Sequence, residues 1–139
     1  IFFNLQRSEE IEMAVTHTTA VRNGIADYVV DLCEVGGTGN LVIRATGTAA
    51  SPGTEIATLP FSATAFGAAV AGVATANAIT SDTNATGGTA ATATLEGGGG
   101  AVAAHCAVGT SGSDINLSST TIGAGATVSM SSLTYTAPA

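Results

Sequence analysis

The clearest periodic pattern lies between Thr18 and Gly37. Large apolar side chains recur there at spacings of four, four and three residues, which places them on one face of an α-helix: Val21, Ile25, Val29 and Leu32. A threonine hydroxyl can cap the first turn, from Thr18 or Thr19, and the glycine pair at 36–37 can end the last one. The pattern therefore predicts an amphipathic helix over residues 18–36 that packs on the domain through this apolar face.

After Gly39 the apolar period changes from about 3.6 to two, which is typical of strands. Turn-forming residues divide the rest of the chain into about seven short segments: 40–46, 55–62, 69–79, 89–95, 101–108, 114–118 and 127–136. No helical pattern alternates with these segments, so a parallel α/β sheet is not expected. The predicted fold is mainly β, with one N-terminal amphipathic helix followed by an antiparallel β-sandwich or barrel.

The composition predicts a core with few large side chains. Ala, Gly, Thr and Ser make up more than half of the 139 residues, whereas Leu, Ile, Val and Phe make up about a fifth. Burial stabilises by about 25 cal/mol per Å² of apolar surface, and alanine buries little surface. We therefore expect residues 13–139 to form a single domain that gains stability from its neighbours.

Residues 1–12 differ in composition from the rest of the chain, since they contain three acids and several large apolar side chains. One hypothesis is an N-terminal arm that docks on a neighbour through Ile1, Phe2, Phe3 and Leu5. The other is a translated leader with Met13 as the natural start, since the codons for the glutamate pair at 9–10 can form a purine-rich ribosome-binding site.

The charge pattern excludes two classes of partner. The chain has three basic residues against ten acids, a net charge of −7, and neither Arg nor Lys follows Arg44. Nucleic acids and anionic membrane surfaces both require many cationic contacts, so neither is an expected partner. The chain also has no Trp, and no aromatic residue lies between Phe66 and Tyr135. Few rings are therefore offered for stacking on bases or sugars.

Two cysteines raise two questions. The His105–Cys106 pair contains a base and a nucleophile, but adjacent strand residues point to opposite faces, so catalysis is not expected. A disulfide between Cys33 and Cys106 would stabilise a thin core by about 4 kcal/mol. The alternative is two small buried side chains in a protein assembled in the cytosol.

The other polar motifs favour structural roles, so we expect no catalytic residue, no cofactor and no metal site. The run from Asp82 to Asn84 lacks the distal acid of a calcium loop and is typical of an Asx turn. The glycine run after Glu96 lacks the lysine and the helix of a phosphate loop. Thr-x-Thr pairs at 92/94 and 134/136 lack the regular repeat of an ice-binding surface. Solvation near turns accounts for the remaining acids: Glu55, Asp82, Glu96 and Asp114.

Three stretches carry a family resemblance: MAVTHTTAVRNGIADYVVD from Met13, FGAAVAGVATANAITSDTNATGGT from Phe66, and DINLSSTTIGAGATVSMSSLTYTAPA from Asp114. They resemble small structural proteins encoded by tailed bacteriophages and prophages. The resemblance begins at Met13, leaves out residues 1–12 and contains no catalytic signature. It implies a virion component and no enzyme.

The expected function is that of a capsid decoration, or cement, protein, assembled in the bacterial host cytoplasm and bound to the outer capsid surface. Its partners would be the major capsid protein and copies of itself, as a dimer or trimer. The N-terminal arm and exposed strand edges are the expected lattice contacts. A tail, baseplate or fibre-associated virion protein is the alternative. A small adhesin-like β-domain is the third hypothesis, which the scarcity of aromatic rings disfavours.

Overall fold

A computed structural model describes residues 15–139. The predicted arm or leader over residues 1–12 and the proposed start at Met13 lie outside the described residues. Helix α1 (Thr19–Asp31) is followed by a 3-10 turn (Leu32–Glu34) and by nine strands: β1 (Asn40–Arg44), β2 (Glu55–Pro60), β3 (Val73–Thr75), β4 (Gly88–Thr89), β5 (Thr92–Glu96), β6 (Val102–Gly109), β7 (Ile115–Asn116), β8 (Thr121–Ile122) and β9 (Thr134–Thr136).

The main sheet has five strands in the order β2-β1-β5-β6-β7, and two small sheets join β3 with β9 and β4 with β8. Within residues 15–139, a mainly β fold with one α-helix is thus confirmed. The expectation of an entirely antiparallel arrangement is wrong at one place, because Val108 of β6 pairs in parallel with Ile115 of β7. Strands β4 and β8 were not predicted, since two residues are too few to show alternation.

The strand predicted over residues 69–79 is instead a narrow hairpin. Val70 and Val73 exchange both backbone hydrogen bonds, at 2.9 and 3.0 Å. The two residues between them have positive φ, 54° at Ala71 and 80° at Gly72, as a type I′ turn requires. The sequence did not predict this turn, because the run of Val, Ala and Thr lacks the Asn-Gly pair that is usual in such hairpins. The strand predicted over 127–136 is likewise shorter and retains only β9.

The core lies under the first two strands and is thin, as the composition predicts. Its largest fully buried side chains come from β1, β2 and the helix: Leu41, Ile43, Ile56, Leu59 and Val30. Nine of the 22 buried hydrophobic residues are alanines. Each alanine contributes little buried area, so the strands past Phe66 add little apolar surface to this core.

Helix α1 begins as predicted but turns a different face to the domain. Thr18 is the N-cap and its hydroxyl accepts from the backbone N–H of Val21 at 3.4 Å. The buried residues are Ala26, Val30 and Cys33, whereas Val21 is 47% exposed. The other members of the predicted face are only partly buried: Ile25, Val29 and Leu32. The face that packs is therefore rotated from the predicted one, which meets the core through Ile25.

Polar side chains explain the rotation. Three acceptors on the helical segment, Asn23, Asp27 and Glu34, run antiparallel to an extended segment over residues 65–72. They accept its backbone N–H groups at 2.7, 2.7 and 2.8 Å, from Gly72, Ala69 and Ala65 respectively. Backbone N–H groups that a helix covers must find hydrogen-bond acceptors. Supplying those acceptors is worth more than burying the predicted apolar face of α1.

Candidate functional site

A groove runs along the outer side of β7. Three adjoining clefts of about 380, 360 and 270 Å³ lie there. The smallest is lined by Asp114–Asn116 and by residues 130–134, and each of the other two includes part of both segments. We call this feature the β7 groove. Its walls carry few charges and several half-buried apolar side chains, including Leu133 and Tyr135. The groove is thus a largely uncharged cleft beside a strand.

The backbone of β7 opens into the groove. Leu117 donates its N–H to the carbonyl of Gly109 in β6 at 2.8 Å. Because backbone groups alternate in direction along a strand, the N–H and C=O of Asn116 point away from β6. Among residues 15–139 no strand pairs with that side of β7. An unpaired edge of this kind is a template for another strand.

Neither cysteine has the properties of a nucleophile. Cys106 packs partly against the core while the adjacent His105 is exposed, so their predicted divergence is confirmed. Burial, and then the charge of Asp114, raises the pKa of the Cys106 thiol to about 11. Burial, with the charges of Glu34 and Asp31, raises the pKa of Cys33 to about 11. Both thiols are free in the structure and protonated at neutral pH.

The polar cluster that the sequence analysis missed is a buried ion pair. Arg44 and Glu96 are each 7% exposed, and Arg44 Nη2 donates to Glu96 Oε1 at 2.6 Å. The hydroxyl of the fully buried Thr94 accepts from Arg44 Nε at 3.0 Å and donates to Glu96. Arg44 Nη1 also donates to the carbonyl of Gly53 at 2.6 Å. The cluster ties β1, β5 and the turn after β1 together.

The assignment of Glu96 to turn solvation was therefore wrong, and burial of Thr94 removes the 92/94 pair from the surface. A signal was available: Thr92, Thr94 and Glu96 alternate on one face of β5, beside the face of β1 that carries Arg44. Alternation identified the strand, but a single charged residue on each strand did not reveal the pair.

Asp82 forms the predicted Asx turn. Its carboxylate accepts from the backbone N–H of Asn84 at 2.9 Å and from that of Thr58 at 2.8 Å. These two hydrogen bonds hold the pKa of Asp82 below its ordinary value. Asp114 has a similar task, accepting from the N–H of Ala107 at 2.7 Å. Within residues 15–139 no group of three or more His, Cys, Asp or Glu side chains is arranged to hold a metal.

An apolar surface, which we call the helix stripe, runs along the outward side of α1 and continues past Asp31 through the 3-10 turn to Val35. Its most exposed members are Tyr28 (69%) and Val35 (60%), followed by Val21 at 47%. The half-buried Ile25 and Leu32 complete it.

Gly24 lies beside the helix stripe. A Cβ built there would meet nothing within 4 Å. Glycine in a helix interior costs about 1 kcal/mol relative to alanine, and the contacts among residues 15–139 do not explain its presence.

Comparison with known proteins gives no assignment. The chain matches no protein-family model, and neither the curated proteins nor the solved structures contain a significant match. In the part of the chain that the structure describes, no helix is both long and apolar enough to cross a membrane.

Proposed function

We propose that the chain is a structural protein of a tailed-bacteriophage virion and that it decorates the outside of the capsid. The observation that carries this proposal is the β7 groove with its open strand edge at Asn116. The groove offers backbone groups and half-buried apolar side chains, which suit attachment to another protein chain. The resemblance of three stretches to phage structural proteins supports the same class.

The occupant that we propose for the β7 groove is an extended segment of the major capsid protein. Such a segment would pair with the backbone of Asn116 and place alternate side chains against Ile115 and Leu133. Main-chain pairing supplies affinity, and the clefts on either side select side chains. Many weak attachments of this kind reinforce a lattice because each copy spans its neighbours.

The charge and the core fit a protein on the outer capsid surface. A net charge of −7 repels packaged DNA and host polyanions. Nine of the 22 buried hydrophobic residues are alanines, so a domain with this core would gain stability from contacts with neighbouring proteins in the capsid. As part of the same proposal, we infer that the five-stranded sheet and the two small sheets close over this core as a sandwich.

The experiment is co-sedimentation of the purified chain with capsids that lack it. Asn116→Pro removes the N–H that points into the groove, whereas the matched control Asn116→Ala keeps that N–H. Both substitutions delete the side-chain hydrogen bonds between Asn116 and Ser113, so any difference between them reports on the backbone. We expect Asn116→Pro to lose capsid binding and Asn116→Ala to retain it. Equal binding by the two variants would refute attachment through this edge.

A further inference from the structure

One edge of the five-stranded sheet is covered and the other is largely open. At β2, the carbonyl of Ile56 accepts from the N–H of Thr86 at 2.8 Å, and the N–H of Thr58 donates to the carboxylate of Asp82 at 2.8 Å. At the opposite edge, β7 pairs with only the last two residues of the eight-residue β6. Among residues 15–139 no strand pairs with the rest of that edge. Since exposed backbone groups are a template for another strand, this edge is a candidate docking site.

The open backbone groups on this edge belong to His105. The N–H of Val108 donates to the carbonyl of Ala91 at 3.0 Å, so the backbone groups of Val108 point toward β5. Because the direction alternates along a strand, those of Ala107 and His105 point the other way. The carboxylate of Asp114 caps the N–H of Ala107 at 2.7 Å. The N–H and C=O of His105 have no backbone partner among residues 15–139, so an added strand would find a free donor and a free acceptor there.

The cleft of about 360 Å³ opens beside His105, and we call it the β6 cleft. Its lining includes Ala104 and Cys106, which are half-buried and pack against the core, and also Tyr135 of β9. Side chains of paired residues on neighbouring strands stand on the same face of a sheet. A strand added at His105 would therefore place the residue opposite Ala104 or Cys106 over the cleft. Because the lining at that point is apolar, a branched aliphatic side chain is favoured there.

Charge restricts the occupant further. Asp114 lines the β6 cleft and is exposed, and no Arg or Lys among residues 15–139 lines the same cleft. A basic residue beside the aliphatic one is therefore favoured, and an acidic residue is disfavoured. The net charge of −7 also disfavours a second copy of this chain as the occupant.

We propose that the β6 cleft binds an extended segment of a partner protein by strand addition at His105, with a branched aliphatic residue in the cleft and a basic residue near Asp114. The identity of the partner as the major capsid protein rests on the proposed function, whereas the chemistry of the segment follows from the cleft. The two attachments adjoin, because Asn116 pairs with Gly109, which lies four residues along β6 from His105. About four further residues, or about 13 Å, therefore extend a segment bound at Asn116 into the β6 cleft.

Hydrogen exchange of single amides, followed by NMR, reports whether the edge is open. In the chain alone, we expect the N–H of His105 to exchange at least tenfold faster than that of Cys106, which points toward β5. The probe is a short capped peptide in which threonine alternates with valine and one threonine is replaced by lysine. Saturation with this peptide should slow exchange of the His105 N–H at least tenfold and leave that of Cys106 unchanged.

Two pairs of variants separate strand addition from other modes of peptide binding. His105→Pro removes the open N–H, whereas His105→Ala keeps it; proline is tolerated on an edge strand, and the urea midpoint checks the fold. Ala104→Phe fills the cleft, whereas Ala107→Phe adds the same ring on the opposite face of β6. We expect at least tenfold weaker peptide binding for His105→Pro and Ala104→Phe, and wild-type binding for the two controls.

The charge requirement is tested by replacing the lysine of the probe with glutamate. The glutamate peptide should bind the wild-type chain several-fold more weakly than the lysine peptide. Asp114→Asn can still cap the N–H of Ala107 and should abolish this difference. Equal affinity of the wild-type chain for both peptides would overturn the basic residue as part of the proposal.

The outcomes separate this inference from the proposed function. Peptide binding by a chain that fails to co-sediment with capsids would support strand addition and refute capsid decoration. Capsid binding that persists in His105→Pro and Ala104→Phe, together with no peptide binding, would refute the inference and leave attachment at Asn116 standing. Protection of the His105 N–H before peptide is added, lost in a chain that begins at Met13, would assign the cleft to residues 1–12 and overturn the proposal.

Discussion

Removal of one partner of the buried Arg44–Glu96 pair should be strongly destabilising. In Glu96→Leu, Arg44 stays buried with only Thr94 and the carbonyl of Gly53 as acceptors. Glu55 lies 3.9 Å away, but its side chain is 59% exposed and gives little compensation. Breaking a buried pair in this way costs about 3 kcal/mol, because an uncompensated charge remains inside.

Removal of both partners should be much less harmful. Arg44→Met alone leaves the Glu96 carboxylate buried and should also cost about 3 kcal/mol. In the double variant Arg44→Met/Glu96→Leu, neither charge is buried, and apolar side chains of similar volume fill the space. We expect the double variant to lie within about 1 kcal/mol of the wild type. The two substitutions are therefore far from additive.

The assay is urea unfolding of the four chains at pH 7, followed by circular dichroism. The cycle should give a coupling energy of about 5–7 kcal/mol between positions 44 and 96, the difference between the summed single costs and the cost of the double variant. Single variants that each cost less than about 1 kcal/mol, or a double variant that costs the sum of the two, would refute the reasoning. Either result would mean that water reaches the pair.

Three further predictions concern single positions. Ala71→Gly should raise the free energy of unfolding by about 0.5–1 kcal/mol, because φ is 54° there, and Ala71→Val should lower it; equal urea midpoints would contradict the turn. Iodoacetamide should label Cys33 and Cys106 at least tenfold more slowly in the native than in the unfolded chain, since a pKa near 11 reduces the thiolate about a hundredfold relative to 9.0; equal rates by mass spectrometry would show accessible thiols. Asp82 has a lowered pKa, so its stabilisation is complete above its ordinary pKa and is lost as pH falls through the lower folded value. Urea midpoints from neutral pH to about pH 2 should therefore fall more in the wild type than in Asp82→Asn, and parallel curves would refute this role.

Local signals were sufficient for most of the element order. Alternation and flanking glycines predicted β1, β2 and the hairpin of β5 and β6, and a threonine cap predicted the start of α1. These features depend on residues close together in the sequence, which is why one sequence is enough to predict them. The turn at Ala71 was not predicted, because alanine rarely adopts a positive φ and so gives no sequence signal for one.

The candidate surfaces were only partly predictable, for a physical reason. The apolar pattern of α1 was read as a core face, but Asn23 and Asp27 are required as acceptors for the backbone of residues 65–72. Those donors belong to a segment more than forty residues away, so periodicity within the helix cannot register them. Exposed strand edges were expected in general, whereas the parallel pairing that leaves Asn116 open depends on two residues of β7.

The proposed place on the capsid is tested most directly by purified virions from a host that carries the coding sequence, through quantitative mass spectrometry and a cryo-electron map of the same particles. The account predicts a copy number comparable with that of the major capsid protein and density for this fold on the outer capsid surface. Absence from the particle, or a few copies in a small multiple of three or six confined to the tail, would contradict it.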